Sequence, residues 1–142
     1  MKAIVRMLVA LSLAAVSQCA FAKDKYDPGV TDTEILLGNI VPYSGPASVY
    51  SVYAKVFEGY FKRLNDKGGI NGRKIRMISY DDAYSPPKTV EQARRLVESD
   101  NVFFLFGVVG TPTNVAIEKY MNAKKVPQIF SGTGSSALAD RS

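Results

Sequence analysis

Three short segments of the chain combine hydroxyl side chains with glycine: Tyr43-Ser44-Gly45, Gly110-Thr111-Pro112-Thr113 and Ser131-Gly132-Thr133-Gly134-Ser135. Glycine lets a backbone approach a ligand closely, and hydroxyls donate hydrogen bonds. A helix start beside them adds unpaired N–H groups and a partial positive charge. Together these features suit a small anionic group, most simply a carboxylate. Serine and threonine ahead of a helix are also ordinary caps, so any one loop alone reads more readily as a cap. Convergence of all three on one edge of a fold would favour a site. None of them matches the Walker A loop or the dinucleotide G-x-G-x-x-G fingerprint, and nucleotide binding lacks support.

Asp81-Asp82 is the other candidate for chemistry. Adjacent carboxylates at a strand end could hold Mg²⁺ or do acid–base work, although two acids fall short of a full ligand set. The plainer reading is that they end a strand and cap the turn after it. The chain contains no histidine, so the commonest general base and the commonest metal ligand are missing. Its one cysteine, Cys19, lies in the N-terminal segment, which leaves no disulfide scaffold and no thiol nucleophile beyond it. No catalytic residue, metal site or cofactor is therefore expected.

The elements that must carry these loops follow from apolar patterning. Ile35 to Val41 (ILLGNIV) is a short apolar run of strand length, suited to a parallel sheet buried on both faces. Val49, Val52, Tyr53, Val56, Phe57, Tyr60, Phe61 and Leu64 then recur at helical spacing, predicting one apolar stripe packed on a sheet. Gly68-Gly69 ends that helix, and Asn71-Gly72 marks a tight turn. Lys74 to Tyr80 reads as a second strand and Ser85-Pro86 as a helix start. The inner face of that helix is Val90, Ala93, Leu96 and Val97, with Glu91 spaced to pair with Arg95. Val102 to Phe106 is a third strand and Val126 to Phe130 a fourth. Between them Thr111-Pro112 opens a helix whose inner face is Ala116, Ile117, Tyr120 and Met121. Strict alternation with short connections predicts an α/β fold, a parallel sheet with helices on both faces. Ligands of such sheets bind outside the carboxyl ends of the strands, and all three hydroxyl-glycine loops leave carboxyl ends.

Residues 1–22 read as a cleaved signal peptide: Lys2 and Arg6, an apolar run from Met7 to Val16, then Ala20-Phe21-Ala22. The run is shorter than the ~20 residues a membrane span needs, so no stable membrane insertion is expected after cleavage. Gln18 ahead of Cys19 fits a lipoprotein site poorly. Formal net charge is +5. Lys2 and Arg6 supply part of it, and the other basic residues are scattered over helix surfaces, which argues against a nucleic-acid partner. The roughly 120 residues after the signal suffice for one modest core.

These segments resemble the branched-chain amino-acid (Leu/Ile/Val-type) periplasmic binding proteins, the type I solute receptors of ABC importers. The likeness is carried by Ile35-Leu36-Leu37-Gly38-Asn39 with Pro42-Tyr43-Ser44-Gly45-Pro46. It continues in Asn65 through Ile75 (NDKGGINGRKI), Tyr80-Asp81-Asp82, Ser85 through Val90, Arg94-Arg95-Leu96-Val97 and Lys124 through Gln128. It covers the chain after the signal, and the NDKGGINGRKI stretch is its most specific part. The resemblance implies a flavodoxin-like first lobe of a two-lobed receptor that closes on its ligand. It places the ligand's carboxylate on Thr111 and Thr113 and on Gly132, Thr133, Gly134 and Ser135, with Tyr43 and Ser44 beside the ligand's side chain. It further implies a periplasmic location, an amino acid or small organic acid as ligand, ABC permease subunits as partners and no enzymatic activity.

Two departures bear on the ligand. Pro112 removes one N–H donor where relatives often carry serine nearby. The Gly132-Thr133-Gly134 loop differs from the small-small-Thr pattern of leucine-type receptors, which leaves aromatic acids open beside branched-chain amino acids. On length, residues 23–142 are expected to be the N-terminal part of the first lobe, with its sheet incomplete. Two alternatives stand beside the transport receptor: a ligand-sensing receptor domain of the same fold, and a Mg²⁺-dependent flavodoxin-like enzyme using Asp81 and Asp82.

Overall fold

The computed structural model describes residues 26–138; the signal expected at residues 1–22 lies outside the described residues. Strand and helix alternate as the patterning predicts: β1 (Glu34–Val41), α1 (Val52–Asp66), β2 (Lys74–Asp81), α2 (Pro86–Arg94), β3 (Phe104–Phe106), α3 (Thr111–Lys124) and β4 (Gln128–Ile129). A 3₁₀ turn at Ser48–Ser51 leads into α1, a π-turn at Arg95–Ser99 extends α2, and Ser136–Leu138 forms another 3₁₀ turn. All described strand pairs are parallel, in the order β2-β1-β3-β4. The chain lays β2 on one side of β1 and then crosses to lay β3 on the other. The carboxyl ends of β1 and β3 therefore flank a topological switch point, where open α/β sheets bind their ligands.

Alternation along β1 feeds two cores. Leu36 and Ile40 join Leu105 against Ala93 and Leu96 of the α2 segment and Ile117 and Met121 of α3. Leu37 and Ile75 face Phe61 of α1, with Phe57, Phe104 and Phe106 partly buried around them. Phe57 and Phe61 meet Phe106 edge-on at centroid distances of 4.9 and 5.4 Å, an arrangement that aromatic quadrupoles favour. A smaller cluster of Val41, Ala54 and Val109, with Tyr84 against it, closes the carboxyl edge.

The predicted stripe on α1 is corrected in phase. Ala54 and Phe61 are buried and Phe57 and Leu64 half-buried, so the sheet-facing row is Ala54-Phe57-Phe61-Leu64. Val49, Val52, Tyr53, Val56 and Tyr60 are exposed, Val56 at 61% and Tyr60 at 64%. Apolar residues at two adjacent helical rows competed for the sheet. The row with the small Ala54 approaches Val41 and Val109, and the two phenylalanines interlock with Phe106. Val49 falls in the 3₁₀ turn, whose different repeat shifts it off the helix's phase.

Other corrections are smaller. The third and fourth ladders are shorter than the apolar runs. Val102 and Phe103 precede β3, with Val102 N–H on the Leu96 carbonyl. Gly107 at φ +69° and Phe130 at φ +54° end β3 and β4. On α3 Ile117 and Met121 are buried as predicted, but Ala116 is exposed and the buried row continues through polar Thr113 and Asn114. Arg95 lays its guanidinium 4.3 Å from the Tyr80 ring centroid, and no ion pair joins it to Glu91 among the described residues.

Candidate functional site

The site is built around the start of α3. Gly110 is the residue that caps it, at φ 105°, ψ 142°, with no side-chain cap hydrogen bond. That conformation is close to exclusive to glycine. A Cβ here would lie 2.6 Å from Tyr84 Cε2 and 2.7 Å from Thr113 Oγ1. Thr111 is the first helical residue rather than the cap the sequence suggested, and Pro112 follows in the first turn, where it costs no hydrogen bond. The Thr111 hydroxyl is therefore not used in capping. It pairs with the Thr133 hydroxyl at 2.6 Å, so one of the two O–H groups donates to the other and the second proton is not used in this bond. The α3 N-terminus adds its orphan N–H groups and partial positive charge.

The loop after β4 is fastened to the loop after β3. Gly110 N–H donates to the Gly132 carbonyl at 3.0 Å, and Gly132 N–H donates to the Val108 carbonyl at 2.8 Å. Ser135 N–H donates to Thr133 Oγ1 at 3.1 Å. Beneath them lies Asn114, which is fully buried. Its amide donates to the Val108 and Gly110 carbonyls at 2.9 and 2.6 Å, and its oxygen accepts from Ser131 Oγ at 2.9 Å and Gln128 Nε2 at 3.2 Å. Thr113, also fully buried, shares its one hydroxyl proton between the Val109 and Gly110 carbonyls. Asn114 and Thr113 thus hold both loops from below.

The loop after β1 is organised differently. Asp81 accepts from Tyr43 N–H at 2.8 Å, Ser44 N–H at 3.1 Å, Ser44 Oγ at 2.5 Å and Ala83 N–H at 2.9 Å. Burial by itself would raise its pKa, but these donors outweigh that and hold the carboxyl below the usual aspartate range. Tyr43 O–H donates to Ser79 Oγ at 2.7 Å, which donates to the buried Asn39 at 2.6 Å. Asn39 in turn donates to the Phe106 and Gly107 carbonyls, linking β1 to the end of β3. Asp82, fully buried, accepts from Thr89 Oγ1 at 2.7 Å and Tyr84 N–H at 2.9 Å. The two aspartates therefore serve different partners, one the β1 loop and the other α2.

Between these loops opens a pocket of about 440 Å³, lined by Val109, Gly110, Thr111 and Ser131 through Gly134 on one side and by Tyr50, Tyr53 and Tyr84 on the other. No charged residue is among its lining residues. Of the predicted contacts, the structure brings Thr111, Gly132, Thr133 and Gly134 to this pocket. Thr113 lies below it and Ser135 beside Thr133, while Tyr43 and Ser44 are engaged with Ser79 and Asp81. The tyrosine wall was missed by sequence reasoning. Tyr53 was absorbed into the α1 stripe, and Tyr50 and Tyr84 carried no pattern beyond their place near loops that leave β1 and β2. A second hollow, of about 470 Å³, lies at the opposite edge around Tyr26, Asp32 and Asn101; it precedes the strands' amino ends and contains no helix start.

Comparison with known proteins bears on the whole described fold. The sequence profile of the family described as periplasmic binding protein matches residues 34–141. A Leu/Ile/Val-binding protein homolog 7 of Brucella abortus is 29% identical over 135 residues, covering 94% of this chain and 32% of the relative. A crystal structure from Rhodopirellula baltica, described as "a possible leucine/isoleucine/valine-binding protein", matches with TM-score 0.71 at 26% identity over 82% of this chain and 31% of that one. An ABC-transporter solute binding protein of Rhodopseudomonas palustris, solved with 3,4-dihydroxy benzoic acid, matches with TM-score 0.61 at 31% identity over 67% of this chain and 26% of its own. The chain thus spans between about a quarter and a third of the length of these relatives.

Proposed function

Because the chain belongs to the periplasmic binding protein family, we propose that it serves as the first-lobe portion of an extracytoplasmic receptor for a small carboxylate, an amino acid or organic acid. In this reading it is exported by the segment 1–22 and delivers its ligand to the permease subunits of an ABC importer. It acts by binding and lobe closure, with no bond made or broken. The observation that carries the reading is the Thr111–Thr133 hydroxyl pair at 2.6 Å, set at the start of α3 on a pocket whose lining is uncharged.

A carboxylate in that pocket accepts the hydroxyl proton that the Thr111–Thr133 bond leaves over, together with the orphan N–H groups of the α3 N-terminus. Charge-assisted bonds of this kind are about twice as strong as neutral ones, and the helix dipole adds to them. Gly132 and Gly134 allow backbone approach, with no Cβ to hold the ligand away. Thr113, Ser135, Tyr43 and Ser44 hold the loops around the ligand. The names of the relatives support the same class of ligand, since leucine-type amino acids and a dihydroxybenzoic acid share a carboxylate.

The test is calorimetric titration of the complete gene product with matched acids and amides: L-leucine with L-leucinamide, benzoate with benzamide. The expected outcome is that at least one acid binds and its amide binds more than about 30-fold more weakly, the loss of one charge-assisted contact set. Amides that bind as tightly as their acids would refute the carboxylate site.

A further inference from the structure

The carboxylate site leaves open what the rest of the pocket recognises, and its far wall is unusual. Three of the lining residues are tyrosines, Tyr50, Tyr53 and Tyr84, and Val109 is the one aliphatic side chain among the lining residues. From this wall we infer that the site selects a planar aromatic carboxylate over an aliphatic one of equal size. The inference rests on the carboxylate reading above and adds the identity of the group attached to the carboxylate.

Three observations carry it. First, the rings are held in place. Tyr84 packs on the Val41, Ala54 and Val109 cluster, and its ring occupies the space that a Cβ at Gly110 would take. Tyr50 stands 6.4 Å from Tyr53, which stands 6.3 Å from Phe57, and Phe57 meets Phe106 in the core. Tyr50 and Tyr53 are thus the outer end of a continuous aromatic row. Second, Tyr50 and Tyr53 remain 47% and 43% exposed, leaving ring surface for a ligand to cover. Third, their hydroxyls are not engaged. Tyr43, Tyr80 and Tyr120 donate to Ser79, Asp100 and Glu98, whereas the hydroxyls of Tyr50, Tyr53 and Tyr84 have no partner among the described residues. A flat ring sliding between phenols gains offset or edge-on contacts, each worth roughly two- to tenfold in affinity beyond simple burial. An aliphatic group gains the burial alone.

The experiment compares ligands that differ only in aromaticity. The complete gene product is titrated with benzoate against cyclohexanecarboxylate, and with L-phenylalanine against L-leucine in case the site also requires an amine. The aromatic member of at least one pair is expected to bind about tenfold more tightly. In the double variant Tyr50→Leu, Tyr53→Leu the ratio should fall to about threefold or less. Both positions are half-exposed, so the substitutions spare the core. Equal binding within each pair overturns the inference while leaving the carboxylate site standing. The same holds for a preference that survives the double variant, or for a loss that strikes both members alike, as it would if these rings met only the second lobe. If no acid of either pair binds, the carboxylate reading falls and this inference falls with it.

Discussion

The loop after β1 and the joined loops after β3 and β4 offer similar residues at the same sheet edge and use them in opposite ways. After β1, Ser44 gives its hydroxyl to Asp81, and Tyr43 gives its own to Ser79. After β3 and β4, the Thr111 and Thr133 hydroxyls pair with each other, Thr133 accepting also from Ser135 N–H, and both line the pocket. The difference is the presence of a charged internal acceptor. Asp81 stands at the end of β2, in register with Val41 of β1, and gathers the donors of the adjoining loop. No carboxylate lines the pocket beside Thr111 and Thr133. Hydroxyl content alone therefore does not separate a loop committed inside the fold from one open to the pocket; what matters is whether the fold supplies a charged acceptor.

The contrast breaks most severely at Gly110. Gly110→Ala places a Cβ against both Tyr84 and Thr113 in a backbone region that L-residues avoid. We expect a loss of about 3 kcal/mol of stability, measured by denaturant unfolding, together with loss of carboxylate binding. A loss under about 1 kcal/mol would mean that the two loops can part without penalty, and the rigid pairing described here would be wrong.

Next in size is Asp81→Asn, which takes the charge from the acceptor that organises the β1 loop. Four donors converge on Asp81, and weakening them should cost about 2 kcal/mol at neutral pH. The pH dependence gives a sharper reading. The folded pKa of Asp81 is depressed, so its contribution is complete above the unfolded value of ~3.9 and is lost as pH falls through the lower folded value. Wild type and Asp81→Asn should therefore converge in stability as the solution is acidified below about pH 4. A gap that stays constant with pH would assign the effect to packing.

Much of this was legible in the sequence, and the failures have physical causes. The element order and parallel topology follow from short apolar runs alternating with segments of helical periodicity, and the meeting of Thr111, Gly132, Thr133 and Gly134 at one pocket follows from loop chemistry at carboxyl ends. The facing row of α1 was not legible, because both Ala54-Phe57-Phe61-Leu64 and Val49-Val52-Val56-Tyr60 have helical spacing. Only packing against Phe106 and Val41 decides between them. Asn39 and Asn114 were passed over for the opposite reason. A single polar residue on an inward face looks like an interruption, yet each donates to backbone carbonyls of the segment that leaves β3. The positive φ at Gly107 that ends β3 has no signature beyond one glycine.

The smallest expected effects separate the two loops most cleanly, because they alter one hydroxyl in each. Thr111→Val keeps the branched shape and removes the oxygen facing Thr133. It should leave unfolding stability within about 0.5 kcal/mol while weakening the tightest-binding carboxylate about tenfold, or ~1.4 kcal/mol. Ser44→Ala should do the reverse. Removing its hydroxyl from Asp81 costs about 1 kcal/mol of stability, and carboxylate affinity stays within about twofold, since Ser44 is engaged inside the fold rather than lining the pocket. If Ser44→Ala weakens binding as much as Thr111→Val does, then Ser44 exchanges Asp81 for the ligand on binding. The β1 loop would then be part of the contact surface, and the contrast between the loops would hold only in the absence of ligand.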